Sequence, residues 1–476
     1  MNKSILKLLI LIILFSDLGH SFVQHYHKPL DGDMANIVLG YPEVMSDPFG
    51  LNVILEHKVY GGTNRFFAHW MMSVYFKHAP QFFQNFVSPV ESIYLSCAAA
   101  KIVIQLLIIF SLAYMISGTK KIWNKSFLLA AALVTPLFQT NGYERYMGII
   151  GSSITYTFFY SLPFALLMLF LLPFFKRVTT TWENMNILKF AIIIISSLVL
   201  SLGGPLSAAV ILIGCALVLL SIWKNKYCES QPLPYIHNIV FSFWKIPHQL
   251  LMLLLMICII CFYSLYLGQF NAENFINPIS LAERYKSLPT GLYYIFTQKL
   301  GLSLLLFMIL LNLFLVSKKG PDEKGKLILI QVKWIALFAL IYIVLLPLGG
   351  YRQYRPNIVR SDTLLPVIMI MIYMFGVSAY YLLNIEKSKL NILYYFAAVI
   401  LLSVFVIADK SISTENDCEK DALKKIAQSS EIIVPLDNNC TVMSWEKITD
   451  CNNSKLNCEL LKLWGVLKDD KCYFQY

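Results

Sequence analysis

Long apolar segments alternate with short polar connections along most of this chain. A helix needs roughly 20 apolar residues to cross the hydrocarbon core of a bilayer. The pattern therefore predicts about eleven transmembrane helices, although two of the segments are short and the fifth and sixth could form a re-entrant hairpin instead. The predicted spans are residues 4–20, 97–117, 126–140, 150–174, 188–203, 205–222, 248–267, 300–317, 328–348, 362–384 and 391–408.

The remaining polar regions divide the chain into four parts. Residues 1–20 form a first transmembrane helix or signal anchor, and residues 21–96 form a large first loop. Residues 97–408 form the transmembrane bundle, and residues 409–476 form a small soluble tail. A cleaved signal peptide is the alternative for the first part, but no small-x-small cleavage site precedes the loop, which favours a retained helix.

Composition supports a membrane protein. Hydrophobic residues make up 57% of the chain and charged residues only 14%, too few to cover a soluble protein of this size. The net charge of +11 does not indicate nucleic acid, because Lys and Arg collect in the cytoplasmic loops of membrane proteins and no nucleic-acid motif is present.

The distribution of basic residues predicts the orientation. With a cytoplasmic N-terminus, most Lys and Arg of the connections lie on the inner side, as the positive-inside rule requires. The expected fold is an all-α polytopic membrane protein whose first loop and tail are extracytoplasmic. The short outer connections then hold Arg145, Arg284, Lys286, Arg352, Arg355 and Arg360.

Cysteines are concentrated in the tail. Five thiols in this short region indicate an oxidising compartment, with two disulfides and one cysteine left over. A zinc site is the rival, but no CxxC pair or nearby histidine supports it. The five are Cys418, Cys440, Cys451, Cys458 and Cys472.

Two carboxylates, Asp31 and Asp33, follow the first span closely. Such a pair near a membrane surface can act as a general base or as oxygen ligands for a divalent cation. In the alternative interpretation the Asp31-Gly32-Asp33 triplet is a turn, and Asp33 caps a helix that starts near Met34.

An aromatic helix is predicted later in the first loop. Asn64 is its expected N-cap, and an amphipathic helix of this kind lies along the headgroup boundary of a membrane. Arg65 and His69 could then meet an anionic lipid head, or the helix could simply pack on the bundle. Its apolar face is formed by Phe66, Phe67, Trp70, Met71 and Val74.

The ninth and tenth spans are joined by an arginine-rich outer loop. Arg352, Arg355 and Arg360 run against the orientation bias, and arginine binds phosphate with two parallel hydrogen bonds. Tyr354 could brace this cluster. In the alternative, the arginines reach lipid headgroups or pair with Asp362.

Other charged groups carry less information. Glu144 and Arg145 could pair with each other, and Arg284 could help to bind a donor. Lys101 is expected to reach headgroups from near a span end, which leaves the spans almost free of charge. Motifs for ATP hydrolysis, serine hydrolysis and zinc peptidases are absent from the sequence.

The layout resembles the polytopic GT-C glycosyltransferases. The similar elements are the Asp31-Gly32-Asp33 triplet after the first span, the aromatic helix of residues 64–75 and the outward arginine cluster. The chain also resembles uncharacterised bacterial multi-span membrane proteins. The GT-C resemblance implies that Asp31 or Asp33 is the catalytic base or a metal ligand. It also implies that the arginines face the phosphate of a polyprenyl-linked sugar donor.

The resulting hypothesis is sugar transfer at the outer face of the inner membrane. The implied partners are a lipid-linked sugar donor, membrane lipids and a glycan, lipid or protein acceptor; a divalent cation is a possible cofactor. A lipid or oligosaccharide transporter or flippase is one alternative, although such proteins place ionisable residues near the middle of their spans. A glycan polymerase or ligase is the other.

Overall fold

The structure is a computed structural model that describes residues 3–178, 185–229, 235–276, 278–318, 321–349, 358–384 and 389–476. About 73% of it is helical. Each of the eleven predicted spans coincides with an apolar helix, and eight of these helices are long and apolar enough to cross a membrane. The all-α membrane class is therefore supported, whereas a count of eleven spans stays a prediction. The three shorter helices are Lys125–Leu137, Ile187–Ser201 and Tyr394–Ala408.

The helices fall into an N-terminal group and a bundle. The first group consists of α1 (Lys3–Tyr26), α2 (Met34–Leu39), α3 (Pro42–Ser46), α4 (Leu51–Glu56) and α5 (Phe66–Phe83). The second group consists of α6 (Pro89–Ser117), α7 (Lys125–Val134), α8 (Glu144–Met147), α9 (Ile154–Tyr156), α10 (Leu162–Val178), α11 (Ile187–Ser201), α12 (Ser207–Glu229), α13 (Tyr235–Trp244), α14 (His248–Gln269), α15 (Leu281–Thr297), α16 (Gly301–Lys318), α17 (Glu323–Leu345), α18 (Leu365–Asn384) and α19 (Lys389–Ala408).

Helix α18 lies in the middle of the bundle. It packs against α6, α7, α16 and α17, and most of its side chains are buried. A Cβ atom at Gly376 would overlap Ile116 on α6, so the absence of a side chain lets these two helices approach closely. Small residues have this role wherever helices pack inside a bilayer, because lipid supplies no hydrophobic force between helices.

The first loop contains the predicted helices, but they are oriented differently from the expectation. The buried face of α5 is formed by Ala68, Met72 and Phe76, while Trp70 and Val74 of the predicted apolar face are exposed. Phe66 and Phe67 are half-buried and pack against a core cluster, so only Trp70 and Val74 of the predicted face remain for contact with lipid.

The ends of two loop helices test the capping predictions. Asp33 is the N-cap of α2, as predicted, but its side chain makes no cap hydrogen bond. The prediction that Asn64 caps α5 is wrong, because Arg65 occupies that position. The Asn64 amide instead donates to the carbonyl oxygen of Ser264 on α14 at 3.1 Å, which ties the loop to the bundle.

The tail is a small α/β unit. Helices α20 (Asp417–Gln428) and α21 (Lys455–Leu463) accompany two parallel strands, β1 (Ile433–Leu436) and β2 (Cys472–Gln475). This two-stranded sheet was not predicted. The prediction of two disulfides and one remaining cysteine is confirmed. Cys418 pairs with Cys440, Cys451 pairs with Cys472, and Cys458 is free and buried.

The tail packs onto the first loop rather than hanging free. The two regions share one hydrophobic core, and the indole nitrogen of Trp464 donates to the carbonyl oxygen of Phe76 at 2.8 Å. The carboxylate of Glu419 is almost fully buried. It accepts from Leu30 N at 2.9 Å, from the Tyr94 hydroxyl at 2.9 Å and from Met443 N at 2.8 Å.

The segments predicted to be outer meet at one end of the bundle. Lys28 of the first loop bonds to the Asn141 side chain at 2.5 Å and to Glu415 of the tail at 2.7 Å. Lys299 bonds to the carbonyl oxygen of Gly142 at 2.8 Å. The predicted topology requires that all outer segments lie at the same end of the bundle, as these contacts show. The side of the membrane that this end faces stays a prediction.

Replacement of Glu419 tests how the tail is held. We expect Glu419→Ala to leave two buried backbone N–H groups without acceptors, at a cost of about 1–3 kcal/mol each. The tail should become sensitive to protease in the detergent-solubilised protein, while the bundle stays resistant. Glu459→Ala, at an exposed position on α21, is the control. Equal protease resistance of both variants would contradict this role of Glu419.

Candidate functional site

A cavity of about 760 Å³ opens at the end of the bundle where the predicted outer segments meet. Its wall combines residues 144–152, the last turns of α15, residues 359–365, the end of α9 and the end of the π-helical segment that follows α9. The polar and aromatic lining is provided by Glu144, Arg145, Tyr146, Ser152, Tyr156, Tyr160, Tyr294, Gln298, Arg360 and Asp362.

Together with Asp362, Glu144 brings a carboxylate to this cavity. Its Oε1 atom accepts a hydrogen bond from Ser152 N at 2.9 Å, so the side chain bonds to the opposite arm of the same loop. Burial raises the pKa of Glu144 above its ordinary value, while the Ser152 amide and the charges of Lys28 and Lys101 oppose this shift. A carboxylate with a raised pKa can exchange a proton closer to neutral pH than an exposed glutamate.

Arg360 and Asp362 also line the cavity and form an ion pair with each other. The Arg360 amide donates to the Thr363 hydroxyl at 2.9 Å, and the Thr363 amide donates to Asp362 Oδ1 at 2.8 Å. The pairing predicted as an alternative for Arg360 is therefore present, and it holds the guanidinium group at the cavity. Arg145 adds a second, exposed guanidinium group.

Of the other arginines predicted in the outer connections, the one that the structure describes, Arg284, does not line the cavity. Arg352, Tyr354 and Arg355 lie outside the described residues, so their predicted roles stay predictions. Arg284 bonds to the carbonyl oxygens of Ile279 and Gly349, both at 3.0 Å. It joins the backbone before α15 to the backbone after α17 and is not among the residues that line the cavity.

Asp31 lies behind the cavity wall. The side chain is 3% exposed, and both of its oxygens accept hydrogen bonds from protein donors. Oδ2 accepts from the Ser153 hydroxyl at 2.6 Å and from Thr155 N at 2.9 Å. Oδ1 accepts from the Thr155 hydroxyl at 2.8 Å and from Asp33 N at 3.1 Å. These bonds fasten the first loop to residues 153–155, which follow directly on the cavity-lining Ser152.

The possible divalent cation gains no support from this arrangement. Asp33 is half-buried at the start of α2 and, like Asp31, does not line the cavity. Within the described parts of the chain, no group of three or more His, Cys, Asp or Glu side chains is arranged to hold a metal ion.

Lys101 corrects an expectation about the spans. It is 1% exposed, so the prediction that it reaches lipid headgroups is wrong. Its ammonium group donates instead to the carbonyl oxygen of Ser152, whose N–H bonds to Glu144. A buried charge in a span thus supports the cavity wall from behind.

His69 and Arg65, predicted to bind an anionic lipid head, are not among the lining residues either. His69 is 2% exposed and bonds through Nδ1 to the carbonyl oxygen of Arg65 at 2.9 Å. Burial lowers the pKa of His69 to about 4, so the ring is neutral at neutral pH. Its edge packs against Tyr41 and Phe159, which indicates a packing role.

Sequence reasoning missed the aromatic wall of the cavity. Tyr156 and Tyr160 are four residues apart on one helical face, and Tyr294 and Gln298 have the same spacing at the end of α15. Such spacing places two side chains on one face, but an aromatic pair in an apolar segment also suits ordinary core packing. These side chains are distinguished from ordinary core residues only by their position around the same cavity as Glu144.

Together, these features define a polytopic helical membrane protein. Within the described residues, a polar and aromatic cavity lies at the end of its bundle. A comparison with known protein families finds no family that matches this chain. A comparison with curated proteins also finds no match.

Asp31 provides a test of the cavity wall. We expect Asp31→Ala to destabilise the protein by about 1–3 kcal/mol, because it removes the acceptor of the buried Thr155 N–H. Thermal unfolding in detergent measures the effect, with Asp469→Ala as the control because Asp469 is exposed in the tail. If the two variants unfold at the same temperature, the proposed anchoring role of Asp31 is wrong.

Proposed function

We propose that this protein transfers a sugar from a polyprenyl-phosphate-linked donor to an acceptor hydroxyl. The observation that carries this proposal is the composition of the cavity. A single pocket combines a carboxylate of raised pKa, two arginines and several tyrosines. Glycosyl transfer from a phosphate leaving group requires a base, cationic hydrogen-bond donors and a surface for the sugar.

The donor phosphate is bound by Arg145 and Arg360. Guanidinium groups present a planar fork of N–H donors that matches two phosphate oxygens. Arg360 is held by Asp362 and by the Thr363 hydroxyl, so little conformational entropy is lost when the phosphate binds. As the sugar leaves, negative charge grows on this phosphate, and the same donors stabilise it.

The base is Glu144. The acceptor oxygen attacks the anomeric carbon, the bond from that carbon to the phosphate oxygen breaks, and the acceptor proton passes to the Glu144 carboxylate. Both oxygens of Asp31 are already committed to protein donors. Glu144 lines the cavity, and within the described residues its carboxylate accepts a single hydrogen bond, at Oε1. We therefore assign the proton transfer to Glu144 and the anchoring of the wall to Asp31.

The remaining walls suit the two ends of the donor. Tyr160 and Tyr294 provide ring faces and hydroxyl groups for a sugar, and Ile149, Ile295 and Leu365 provide an apolar side for the first units of a lipid chain. The cavity also lies at the end of the bundle that carries the disulfide-bonded tail. An oxidising, extracytoplasmic location of that end supports transfer at the outer face of the membrane.

The central experiment replaces the base. In a deletion strain that has lost a surface glycan, we expect Glu144→Gln to fail to restore that glycan, because transfer slows by about 10²–10⁴-fold. Glu43→Gln, at an exposed position on α3, is the matched control and should restore it. Protein levels in the membrane are measured for each variant, so that loss of folding is recognised.

Restoration of the glycan by Glu144→Gln would reject Glu144 as the base. Asp31→Asn separates the two carboxylates further. If Asp31→Asn is stable in the membrane and inactive while Glu144→Gln is active, the base is Asp31, as the resemblance to GT-C enzymes implies.

The pH dependence gives a second prediction. The base must be deprotonated, so the rate should fall as pH decreases through the pKa of Glu144. Because burial raises this pKa, the decline should begin at a higher pH than for an exposed glutamate with its ordinary value of 4.5. Transfer by the purified protein, with lipid-linked donor extracted from the deletion strain, measures this profile. A rate that stays constant down to the ordinary glutamate pKa would contradict the assignment.

A further inference from the structure

Trp445 is a large aromatic side chain of the tail that stays exposed to solvent. Its side chain is 53% exposed, whereas Trp464 and Tyr473 are fully buried in the core of the tail. Single exposed aromatic side chains are common at protein surfaces, so the position of this ring, rather than its exposure, is what indicates a ligand.

The indole of Trp445 begins a row of rings that ends in the cavity. Its centroid lies 5.9 Å from that of Tyr156, with 31° between the planes. Tyr156 in turn lies 5.9 Å from Tyr160 in an edge-to-face arrangement. Because Tyr156 and Tyr160 both line the cavity, the exposed ring of the tail continues the aromatic wall beyond the cavity.

The loop that carries Trp445 is fixed in place. Met443 N donates to the buried Glu419 carboxylate, and the backbone of Trp445 lies on Gly32 of the first loop. A Cβ atom at Gly32 would be only 2.7 Å from Trp445 N and 2.8 Å from Cδ1 of the indole. The indole therefore has a defined position relative to the cavity before any ligand arrives.

The surroundings of Trp445 indicate the chemistry of its ligand. Glu446 and Lys447 follow it in sequence and are exposed, and Lys447 Nζ donates to the backbone oxygen of Tyr476 at 3.0 Å, so the ring stands on a polar part of the tail surface. A pyranose suits such a place, because it combines an apolar C–H face with hydroxyl groups at its edge. A lipid chain lying here would take charged side chains such as Glu446 out of water, at a cost in free energy.

We propose that Trp445, together with Tyr156, forms a binding subsite for a pyranose ring of the acceptor. The protein would thereby use glycan chains as acceptors, and the tail would contribute directly to the site. The assignment of this sugar to the acceptor rests on the proposed function, whereas the binding of a glycan by Trp445 does not.

A glycan array tests the subsite. The full-length protein in nanodiscs is applied to an array of oligosaccharides of varied sugar and linkage. We expect it to bind a subset of them, and we expect Trp445→Ala to weaken that binding about tenfold, as loss of an aromatic stacking partner implies. Trp445→Phe should retain most of it. Trp123→Ala, at an exposed tryptophan in the α6–α7 turn, should leave it unchanged.

Three outcomes overturn the subsite: no glycan binds, Trp445→Ala binds the same glycans equally well, or Trp445→Ala only reduces labelling by a photoreactive polyprenyl phosphate. The last result would assign the ring to the lipid. Glu144→Gln should bind the same glycans as the unmodified protein. If the unmodified protein binds these glycans but transfers no sugar from the lipid-linked donor, the proposed function fails while the glycan subsite stands.

Discussion

A buried carboxylate must be matched by hydrogen-bond donors, and this requirement organises the end of the bundle that holds the cavity. Leu30 and Asp31 are consecutive residues, yet they connect three regions. The Leu30 amide donates to Glu419 of the tail, and the Asp31 carboxylate accepts from Ser153 and Thr155 of the bundle. Removal of either carboxylate would leave buried donors unsatisfied, so the first loop, the tail and the cavity wall hold one another in place.

The buried cations complete the same arrangement. Lys28 bonds to both Asn141 and Glu415, and Lys101 bonds to the carbonyl oxygen of Ser152. Neither lysine carries its charge into lipid, because each is enclosed by polar groups from the chain itself. The Ser152 peptide is thereby held on both sides, by Lys101 at its carbonyl group and by Glu144 at its N–H group. Lys101 therefore helps to position Glu144, the proposed base, although the two side chains are connected only through the Ser152 peptide group.

The parts of the fold that could be predicted are those encoded over short stretches of sequence. Apolar length located the helices, the cysteine number gave the two disulfides, and Asp33 stands at the start of a helix as expected. Contacts between segments that are distant in sequence could not be predicted in this way. The burial of His69 and Lys101 depends on helices that are far apart in sequence, as does the meeting of Glu144 with Arg360. Periodicity shows that a helix has two faces, but it does not show which neighbour covers each face.

The two acidic candidates illustrate why a motif alone does not identify a base. In the sequence, the Asp31-Gly32-Asp33 triplet is more conspicuous than the single Glu144. In the structure, Asp31 accepts four hydrogen bonds, and another proton donor could approach only if one of them broke. Glu144 is fixed through Oε1 and lines a cavity large enough for a sugar phosphate. A base must accept a proton from its substrate, so the carboxylate with fewer protein donors is better suited to react, and the saturated one is better suited to hold the wall.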